Sequence, residues 1–329
     1  MGIKYIAAIA FSCLISALSV ALLKKLALNK RILIPQGVPL VGGIAMGLAL
    51  ALASGAYFIL QGAANPKIIG IVLSSLVMLV FGVVDDLREL SVKAKLCAQL
   101  AAASVLILFG VRTEIIYIGS LANIIITFIW MIGLTNAFNH LDVIDGLAGA
   151  ISIITCGAFF LVSLISSDAQ SAFLCLALAG AACGFVIYNL PPAKVYMGNA
   201  GSHFLGFFLA AVAIVISYAP TLEHSVALLT PLFILGLPIF DTTFLIFMRL
   251  AKKKNPFLKS DDHLTLRFLK SGLSKRMALG LIFLLAILFS LSGVVLTLVS
   301  NIQGTGIVIC LIVLSLLIGF RMSKVSIDG

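Results

Sequence analysis

The sequence predicts an all-α integral membrane protein, and its composition is the first reason. Hydrophobic residues make up 62% of the 329 residues and charged residues only 10%, and the mean hydropathy is +1.22. Soluble domains contain about 25% charged residues. The chain is therefore expected to fold in a bilayer as one polytopic domain over residues 1–329, rather than as a series of soluble domains.

The second reason is a series of apolar runs that are long enough to cross a bilayer, which takes roughly 17–25 residues each. The first run is interpreted as a span and not as a signal peptide, because it is too long and Lys24-Lys25 follow it. We count eleven spans, with approximate limits 3–23, 38–60, 67–84, 94–110, 121–138, 147–166, 171–189, 204–219, 226–248, 279–300 and 305–320.

The distribution of lysine and arginine predicts the orientation of these spans. With the N-terminus outside, 19 of the 22 basic residues lie in the loops of one side, and only Lys4, Lys67 and Arg112 lie on the other. Basic loops stay in the cytoplasm. The sequence therefore predicts an outer N-terminus and a cytoplasmic C-terminus. The net charge of +10 is then explained by the basic loops, which orient the spans and attract anionic membrane lipids.

Other classes of function are disfavoured by the same composition. The six cysteines lie in apolar runs without a Cys-x-x-Cys pair, so neither a disulfide framework nor a zinc site is indicated. Nucleic-acid binding is not expected, because the chain has no soluble basic domain to carry it. The unusual polar residues instead gather in the predicted cytoplasmic loops, which suits a water-soluble substrate handled at that face.

Asp85 and Asp86 close the third predicted span. Carboxylates are costly beside hydrocarbon, so acids at the end of a membrane helix indicate a functional site. Adjacent residues point about 100° apart on a helix. Both acids can therefore face one site only near a helix end. A solvated loop that merely stops the span is the structural alternative.

A second polar group follows the fifth span. Asp142 and Asp145 are three residues apart, and Asn136 and Asn139 continue the same spacing upstream, with Gly146 after them. Residues at this spacing share one face of a helix. Four such side chains are improbable against lipid, so we expect them to line a cavity.

A third group precedes the eighth span as Gly198-Asn199-Ala200-Gly201-Ser202. Its backbone N–H groups are suited to hold a phosphate at a helix N-terminus. Ser202 as an ordinary N-cap is an alternative that does not exclude this function. Paired carboxylates together with glycine-rich turns suit a divalent metal and a phosphate.

Two further candidates lie near the C-terminal end. Asp241 follows Pro238, which breaks a helix and frees backbone groups, although a buried structural acid is the alternative. His263 and Arg267 are four residues apart in a polar segment, and together they suit a phosphate. The alternative for this pair is contact with lipid head groups. The leucines around them predict a short interfacial helix.

These motifs together resemble those of the polyprenyl-phosphate N-acetylhexosamine-1-phosphate transferases (glycosyltransferase family 4), in particular the undecaprenyl-phosphate N-acetylglucosamine-1-phosphate transferase branch. Each motif is short, but several occur in the family's order between about residues 35 and 276. The matching segments are Pro39–Gly43, Val84–Asp86, Asn136–Asn139 through Asp142 and Asp145–Leu147, Val195–Gly198 through Gly201-Ser202, Pro238–Asp241 and Asp262–Leu264.

The resemblance implies a reaction at the cytoplasmic face of the bacterial cytoplasmic membrane. Undecaprenyl phosphate would attack the sugar-bearing phosphorus of a UDP-N-acetylhexosamine, most simply UDP-N-acetylglucosamine, and UMP would leave. Mg²⁺, with Mn²⁺ as a substitute, would offset the charge of the two anions. Such a step starts the synthesis of a cell-envelope polysaccharide. A homodimer is left open as the assembly.

The resemblance also implies roles for the motif residues. Asp85 and Asp86 would bind metal or prepare the lipid phosphate, and Asn199 would occupy the position of a metal ligand. Asp142 and Asp145 would hold the nucleotide sugar and support the site, and His263 and Arg267 would contact the pyrophosphate. Asp142, Asp145 and His263 would belong to the catalytic set with the first two acids. The residues that would contact the substrates are Asn136, Asn139, Gly198, Gly201, Ser202, Asp241 and Arg267.

Three positions depart from the family pattern. Asn199 stands where the family has aspartate, Ile34 replaces a basic residue or histidine, and the histidine-rich loop is reduced to His263 and Arg267. An amide keeps one oxygen ligand but loses the charge, so weaker magnesium binding is expected. A catalytically weak relative that binds lipid phosphate or nucleotide sugar is therefore the alternative function. A secondary transporter with intramembrane ion sites is a further, less favoured one.

Overall fold

The computed structural model describes residues 2–62, 65–116, 118–218, 222–255 and 262–326, and these are helical with short connections. The only pairing of extended backbone among them is an isolated parallel bridge between Leu40 and Tyr196. The described residues divide into two compact units, Met1–Ile216 and Ser217–Gly329. The prediction of an all-helical membrane protein is confirmed.

The first unit contains eight α-helices. Two of them begin at a capping residue, Asn65 or Ser91. The side-chain oxygen of each accepts a backbone N–H from the first turn of the helix that follows it. The helices are α1 (Gly2–Lys30), α2 (Gly42–Gln61), α3 (Pro66–Leu87), α4 (Val92–Leu108), α5 (Gly119–Leu141), α6 (Leu147–Ile165), α7 (Ala169–Asn189) and α8 (Gly198–Val215).

The core of this unit lies around α7 and α8, which are buried along most of their length. Helices α1, α2 and α6 pack against α7, while α3 and α5 pack against α8. Ser12 and Ser16 of α1 donate hydrogen bonds to the carbonyls of Ala177 and Ala181, at 2.6 and 2.7 Å. Hydrogen bonds of this kind and small residues bring membrane helices together.

The second unit contains five α-helices and a 3₁₀ helix at Leu222–Leu229. Helices α9 and α10 are separated at Leu235, and a span formed by Ser225–Ile234 with Gly236–Ala251 is bent by 69°. The helices are α9 (Thr230–Ile234), α10 (Gly236–Ala251), α11 (Leu264–Lys270), α12 (Lys275–Leu296) and α13 (Asn301–Ser323).

A helix, or the bent pair, lies over each of the eleven predicted apolar runs. In the described part of the chain, nine helices are long and apolar enough to cross a membrane, and the bent pair brings the number to ten. Helix α4 has 17 residues and is shorter than these. The protein is thus a multi-pass membrane protein, while the number of eleven spans and the orientation stay predictions.

One boundary differs in a way that concerns the site. The eighth span was predicted from residue 204, but α8 begins at Gly198. Gly198 has φ +70°, a left-handed conformation that glycine adopts without steric cost. The turn lets the small, polar sequence that follows become the first turn of the helix. The Gly198–Ser202 motif is therefore helical rather than a loop.

Candidate functional site

The N-terminus of α8 holds the carboxylate of Asp86. The backbone N–H of Asn199 donates to one Asp86 oxygen at 2.8 Å, and that of Ala200 donates to the other at 3.0 Å. The first N–H groups of a helix have no partner within the helix and carry partial positive charge. Asp86, from the end of α3, thus occupies the position at which we expected a substrate phosphate.

A polar contact between α5 and α8 lies beside this carboxylate. The Asn139 amide donates to the side-chain oxygen of Asn199 at 3.0 Å and to the hydroxyl of Ser202 at 2.9 Å. The Ser202 hydroxyl in turn donates to the carbonyl of Gly198 at 3.2 Å. Four predicted site residues (Asp86, Asn139, Asn199 and Ser202) are therefore brought together by direct contacts.

The turn before α8 is fixed by the first residues of α2. Gly42 and Gly43 donate backbone hydrogen bonds to the carbonyls of Tyr196 and Met197, at 3.0 and 3.1 Å. A side chain on Gly43 would collide with the backbone of Gly201. Gly201 thus serves close packing of two backbones in this structure. The contact explains why small residues are required at both positions.

Asp85 is directed away from Asp86 and into a different interaction. Its side chain is 2% exposed, forms an ion pair with Lys95 at 2.8 Å, and accepts the backbone N–H of Leu90 at 2.8 Å. These contacts close the loop between α3 and α4. The adjacent acids therefore have different hydrogen-bond partners, and Asp86 is the one that accepts the backbone N–H groups of α8.

Asn136 makes a contact between helices. Its amide exchanges two hydrogen bonds with Gln99 of α4, at 3.0 and 3.1 Å, and also donates to the carbonyl of Ile132 at 2.8 Å. Its amide oxygen and nitrogen thus join α4 to α5, and the substrate role of Asn136 stays a prediction.

Asp142 and Asp145 lie in the turn between α5 and α6. Burial raises the pKa of Asp142 to about 7, with smaller contributions from the charges of Asp86 and Asp145. The electrostatic influence of these two acids places the three carboxyls in one neighbourhood. Asp145 also accepts the backbone N–H of Ala193 at 3.1 Å, which ties the turn to the segment before α8.

Asn189, at the end of α7, makes a second link between these segments. Its side-chain oxygen accepts the N–H of Gly146 at 2.9 Å, and its amide donates to the carbonyl of Val195 at 2.9 Å. Gly146 itself turns into α6 with φ +80°. Asn189 therefore organises two of the predicted site segments, although it belongs to no predicted motif.

The second unit contains the remaining predicted residues. The Asp241 carboxylate contacts the His263 imidazole Nδ1 at 3.0 Å and accepts the N–H of Leu264 at 2.8 Å. Arg267 contacts Asp262 at 2.6 Å. Proximity of His263, Asp241 and Arg267 to the carboxylates of the first unit stays a prediction.

Several residues of these contacts were not singled out in the sequence. Lys95 and Gln99 are four residues apart on one face of α4, and a polar pair inside an apolar run was the available signal. His203 is buried in α8 and its Nδ1 has no hydrogen-bond partner. Asn189 was detectable as an amide at the end of an apolar span.

The oxygen donors around Asp86 suit a hard divalent cation. Carboxylate and amide oxygens are ligands that Mg²⁺ accepts, usually one or two from the protein with the rest from water and substrate phosphates. Asp86 and Asn199 supply one of each at the start of α8. In the described residues, no group of three or more histidine, cysteine or acidic side chains forms a metal-binding cluster.

Comparison with known proteins shows what the chain is similar to. The family model of glycosyl transferase family 4 matches residues 68–217, which contain Asp86, Asn139, Asp142 and Asn199. A Bacillus subtilis (strain 168) protein named probable undecaprenyl-phosphate N-acetylglucosaminyl 1-phosphate transferase is 32% identical over 271 residues, covering 79% of this chain and 73% of the relative.

Two other relatives carry closely related names. The undecaprenyl-phosphate alpha-N-acetylglucosaminyl 1-phosphate transferase of Thermotoga maritima is 32% identical, covering 69% of this chain and 67% of the relative. The Escherichia coli (strain K12) protein of the same name is 29% identical, covering 78% of this chain and 72% of the relative.

The fold and the site thus define a multi-pass membrane protein with a carboxylate site at the start of one helix. The chain belongs to glycosyl transferase family 4, together with the undecaprenyl-phosphate N-acetylglucosaminyl 1-phosphate transferases that it matches over most of its length.

Proposed function

We propose that this protein transfers N-acetylglucosamine 1-phosphate from UDP-N-acetylglucosamine to undecaprenyl phosphate and releases UMP. The names of the relatives support the reaction. The observation that carries it is the Asp86 carboxylate held by the first N–H groups of α8, beside Asn139 and Asn199. This site offers fixed oxygen ligands for a divalent cation, which would offset the charge of the phosphates of both substrates.

The setting we propose is the bacterial cytoplasmic membrane, with eleven spans, an outer N-terminus and a cytoplasmic C-terminus. The distribution of 19 of 22 basic residues to one set of loops supports this orientation. It places the loops after α3, α5 and α7 on the cytoplasmic side, where nucleotide sugars are available. The product then enters synthesis of a cell-envelope polysaccharide.

The reaction joins two phosphates without a covalent intermediate on the protein. An oxygen of the lipid phosphate attacks the sugar-bearing phosphorus, the bond from that phosphorus to the oxygen of UMP breaks, and UMP leaves with the bond's electrons. Catalysis of such a transfer depends on positioning and on compensation of charge. Asp86 and Asn199 would hold the cation, Asn139 positions the Asn199 side chain, and Asp145 anchors the turn of Asp142.

Asp142 is suited to handle a proton in this reaction. Its pKa is raised to about 7 by burial and by the neighbouring acids. A group with a pKa near the working pH exchanges protons most effectively. We assign Asp142 the removal of a proton from the lipid phosphate, which makes the attacking oxygen more nucleophilic.

Asp86 and Asn199 are the residues that would hold Mg²⁺, and Mn²⁺ accepts the same ligands. When bound, the cation offsets the negative charge of the two phosphate groups. The amide of Asn199 brings no charge to the site, so the binding of the cation depends more strongly on Asp86 and on the phosphates.

A catalytically weak relative is the second candidate function, and Asn199 is the observation that favours it. The Asn199 oxygen already accepts the Asn139 amide at 3.0 Å. A protein with this arrangement would bind lipid phosphate or nucleotide sugar and turn over slowly. The two candidates differ in turnover and agree in binding.

One experiment distinguishes them. Purified protein is incubated with magnesium, undecaprenyl phosphate and one UDP-sugar from a panel of UDP-N-acetylglucosamine, UDP-N-acetylgalactosamine and UDP-glucose, and UMP release is measured. We expect release that requires the lipid phosphate and the acetamido group. Binding of UDP-N-acetylglucosamine without UMP release identifies the weak relative, and neither binding nor release rejects both functions.

A further inference from the structure

The guanidinium of Arg267 is enclosed within the second unit and joins three separate segments. The residue has 0% exposure. It donates to the carbonyls of Met322 and Val325, at the end of α13, and to the carboxylate of Asp262 at 2.6 Å. Its charged group lies over the ring of Phe244 in α10, at 5.5 Å from the centroid.

Complete burial of a guanidinium needs compensation of its charge and its donors. Asp262 supplies the negative charge, and it also forms an ion pair with Lys252 at 2.9 Å. The carbonyl of Met322, in the last turn of α13, also accepts the N–H of Val325 at 3.1 Å, and the last carbonyls of a helix lack the partners that carbonyls in its interior have. A cation at this position also interacts favourably with the helix dipole.

The contacts of Arg267 bear directly on the segment that carries His263. Asp262 immediately precedes His263, and the N–H of Arg267 donates to the carbonyl of His263 at 3.0 Å. On the other side, Asp241 contacts the His263 ring and the N–H of Leu264. The start of α11 is therefore held by Asp241 from α10 and by Arg267 through Asp262.

We propose that Arg267 is a positioning residue that fastens the C-terminal end of the chain, residues 322–325, to the segment carrying His263. This inference rests on the proposed function, in which His263 serves the transfer. The end of α13 is then a required part of the support of the active site. Arg267 acts through Asp262 and the first turn of α11, and not by contact with a substrate.

The resemblance to the family implied the opposite role, contact of Arg267 with the pyrophosphate. The two roles differ in a measurable way. If Arg267 contacts the pyrophosphate of the substrate, its replacement raises the KM for the UDP-sugar, and deletion of residues 324–329 has no effect. A fastening residue determines kcat through the geometry of His263, and loss of the Val325 carbonyl then has no further effect once Arg267 has been replaced.

The test is a double-mutant cycle with UMP release as the activity. Arg267→Gln, a truncation after Ser323, and their combination are compared with the full chain. We expect each single change to lower kcat about tenfold with an unchanged KM for the UDP-sugar, since a charge-assisted hydrogen bond contributes that much. The combination is expected to be no worse than Arg267→Gln alone, because the truncation removes the Val325 carbonyl, one of the contacts that Arg267→Gln has already lost.

Arg276→Gln is the matched control, since it removes an equal charge from an exposed position of α12. It is expected to leave kcat and KM unchanged. A raised KM in Arg267→Gln together with a silent truncation overturns the proposal. Additive effects of the truncation and Arg267→Gln overturn it as well.

Amide hydrogen exchange of residues 264–270 gives a readout that does not depend on turnover. We expect faster exchange in Arg267→Gln and in the truncated chain, to the same extent. Asp262→Asn repeats the cycle where the truncated chain folds poorly. Exchange rates of residues 264–270 that are unchanged in all three variants reject the positioning role. If exchange becomes faster as expected but the protein releases no UMP, only the proposed function is rejected.

Discussion

The carboxylate of Asp86 accepts the backbone N–H groups of Asn199 and Ala200, at 2.8 and 3.0 Å. This relationship joins the end of α3 to the start of α8 across 113 residues of sequence. A fixed negative charge at a helix N-terminus is stabilised by the partial positive charge there. It also gives the site a carboxylate whose position does not depend on a bound substrate.

Asp86→Asn is expected to abolish most activity with a limited loss of stability. The amide keeps one acceptor oxygen but presents N–H groups to the second backbone donor, so about 2 kcal/mol of stability is lost. Loss of the charge should lower UMP release at least roughly 100-fold. Both quantities are measured on detergent-purified protein.

Glu89→Gln is the control for this change, because Glu89 is a nearby acid on the exposed side of the same loop. It should retain normal turnover and stability. Equal losses of activity in the two variants would show that Asp86 has no special place in the reaction.

Part of the site was predictable because spacing along the sequence determines which residues share a helix face. Asn139 lies on α5 and does reach Asn199 and Ser202. Asp142 and Asp145 were expected on the same helix face, but α5 ends at Leu141 and both acids lie in the turn that follows. The length and apolarity of the runs likewise predicted the helices. Those properties are local, and they depend on the bilayer rather than on tertiary partners.

The partners of individual side chains were not predictable in the same way. Asp85 and Asp86 are identical in type and adjacent, yet one pairs with Lys95 and the other with the backbone of α8. Asn136 and Arg267 fitted a substrate site by sequence, but they join helices and segments within the fold. Such partners depend on the packing of distant helices, which no spacing rule contains.

The orientation of the spans predicts the outcome of reporter fusions. A reporter fused after residue 65 is expected on the outer side, and one fused after residue 255 in the cytoplasm. The physical reason is the concentration of basic residues in the loop after α10 and their near absence in the loop after α2. The reverse pair of locations would reject the topology.

Lys95→Gln is expected to destabilise the protein by about 3 kcal/mol, because it leaves the buried Asp85 carboxylate without its cation. The thermal midpoint of the purified protein measures the loss. Lys93→Gln, on the exposed side of the same helix turn, should leave that midpoint in place. A stable Lys95→Gln variant with a raised magnesium requirement would instead assign Asp85 to the metal site.

The protonation of Asp142 makes the free energy of unfolding depend on pH. Its pKa rises from 3.8 in the unfolded chain to about 7 in the fold, so the folded state holds the proton more strongly. The stability that this group contributes is present below about pH 4 and is lost as the pH rises through 7.

Asp142→Asn removes this loss of stability at higher pH. In metal-free buffer the variant should unfold at a higher temperature than the wild type at pH 8 and at the same temperature at pH 4. Its turnover should fall at every pH, since the proton acceptor is gone. A thermal difference that is the same at both pH values would show that Asp142 ionises normally.

Asn199→Asp is expected to lower the magnesium concentration at half-maximal UMP release, by at least roughly tenfold. A carboxylate attracts the cation directly, while an amide oxygen offers only a dipole, and one added charge at this distance is worth several kcal/mol. The Asn139 amide, which donates to the residue 199 oxygen at 3.0 Å, is able to donate to either side chain. The geometry of α8 should therefore be preserved.

The same substitution has a second consequence without metal. Residue 199 begins α8 beside the carboxylate of Asp86, so a second carboxylate there is repelled by the first. The metal-free Asn199→Asp protein should unfold at a lower temperature than the wild type and gain more from added magnesium, because a ligand stabilises the state that binds it. Thermal unfolding at increasing magnesium concentrations measures this gain independently of turnover.

Asn136→Asp is the matched control, since it makes the same chemical change on α5 at a position bonded to Gln99. It should leave the magnesium dependence where it is. An unchanged dependence in Asn199→Asp would mean that residue 199 is not a metal ligand. If the natural chain releases no UMP at any magnesium concentration and Asn199→Asp does, the loss of one charge at the start of α8 accounts for a binding protein derived from a transferase.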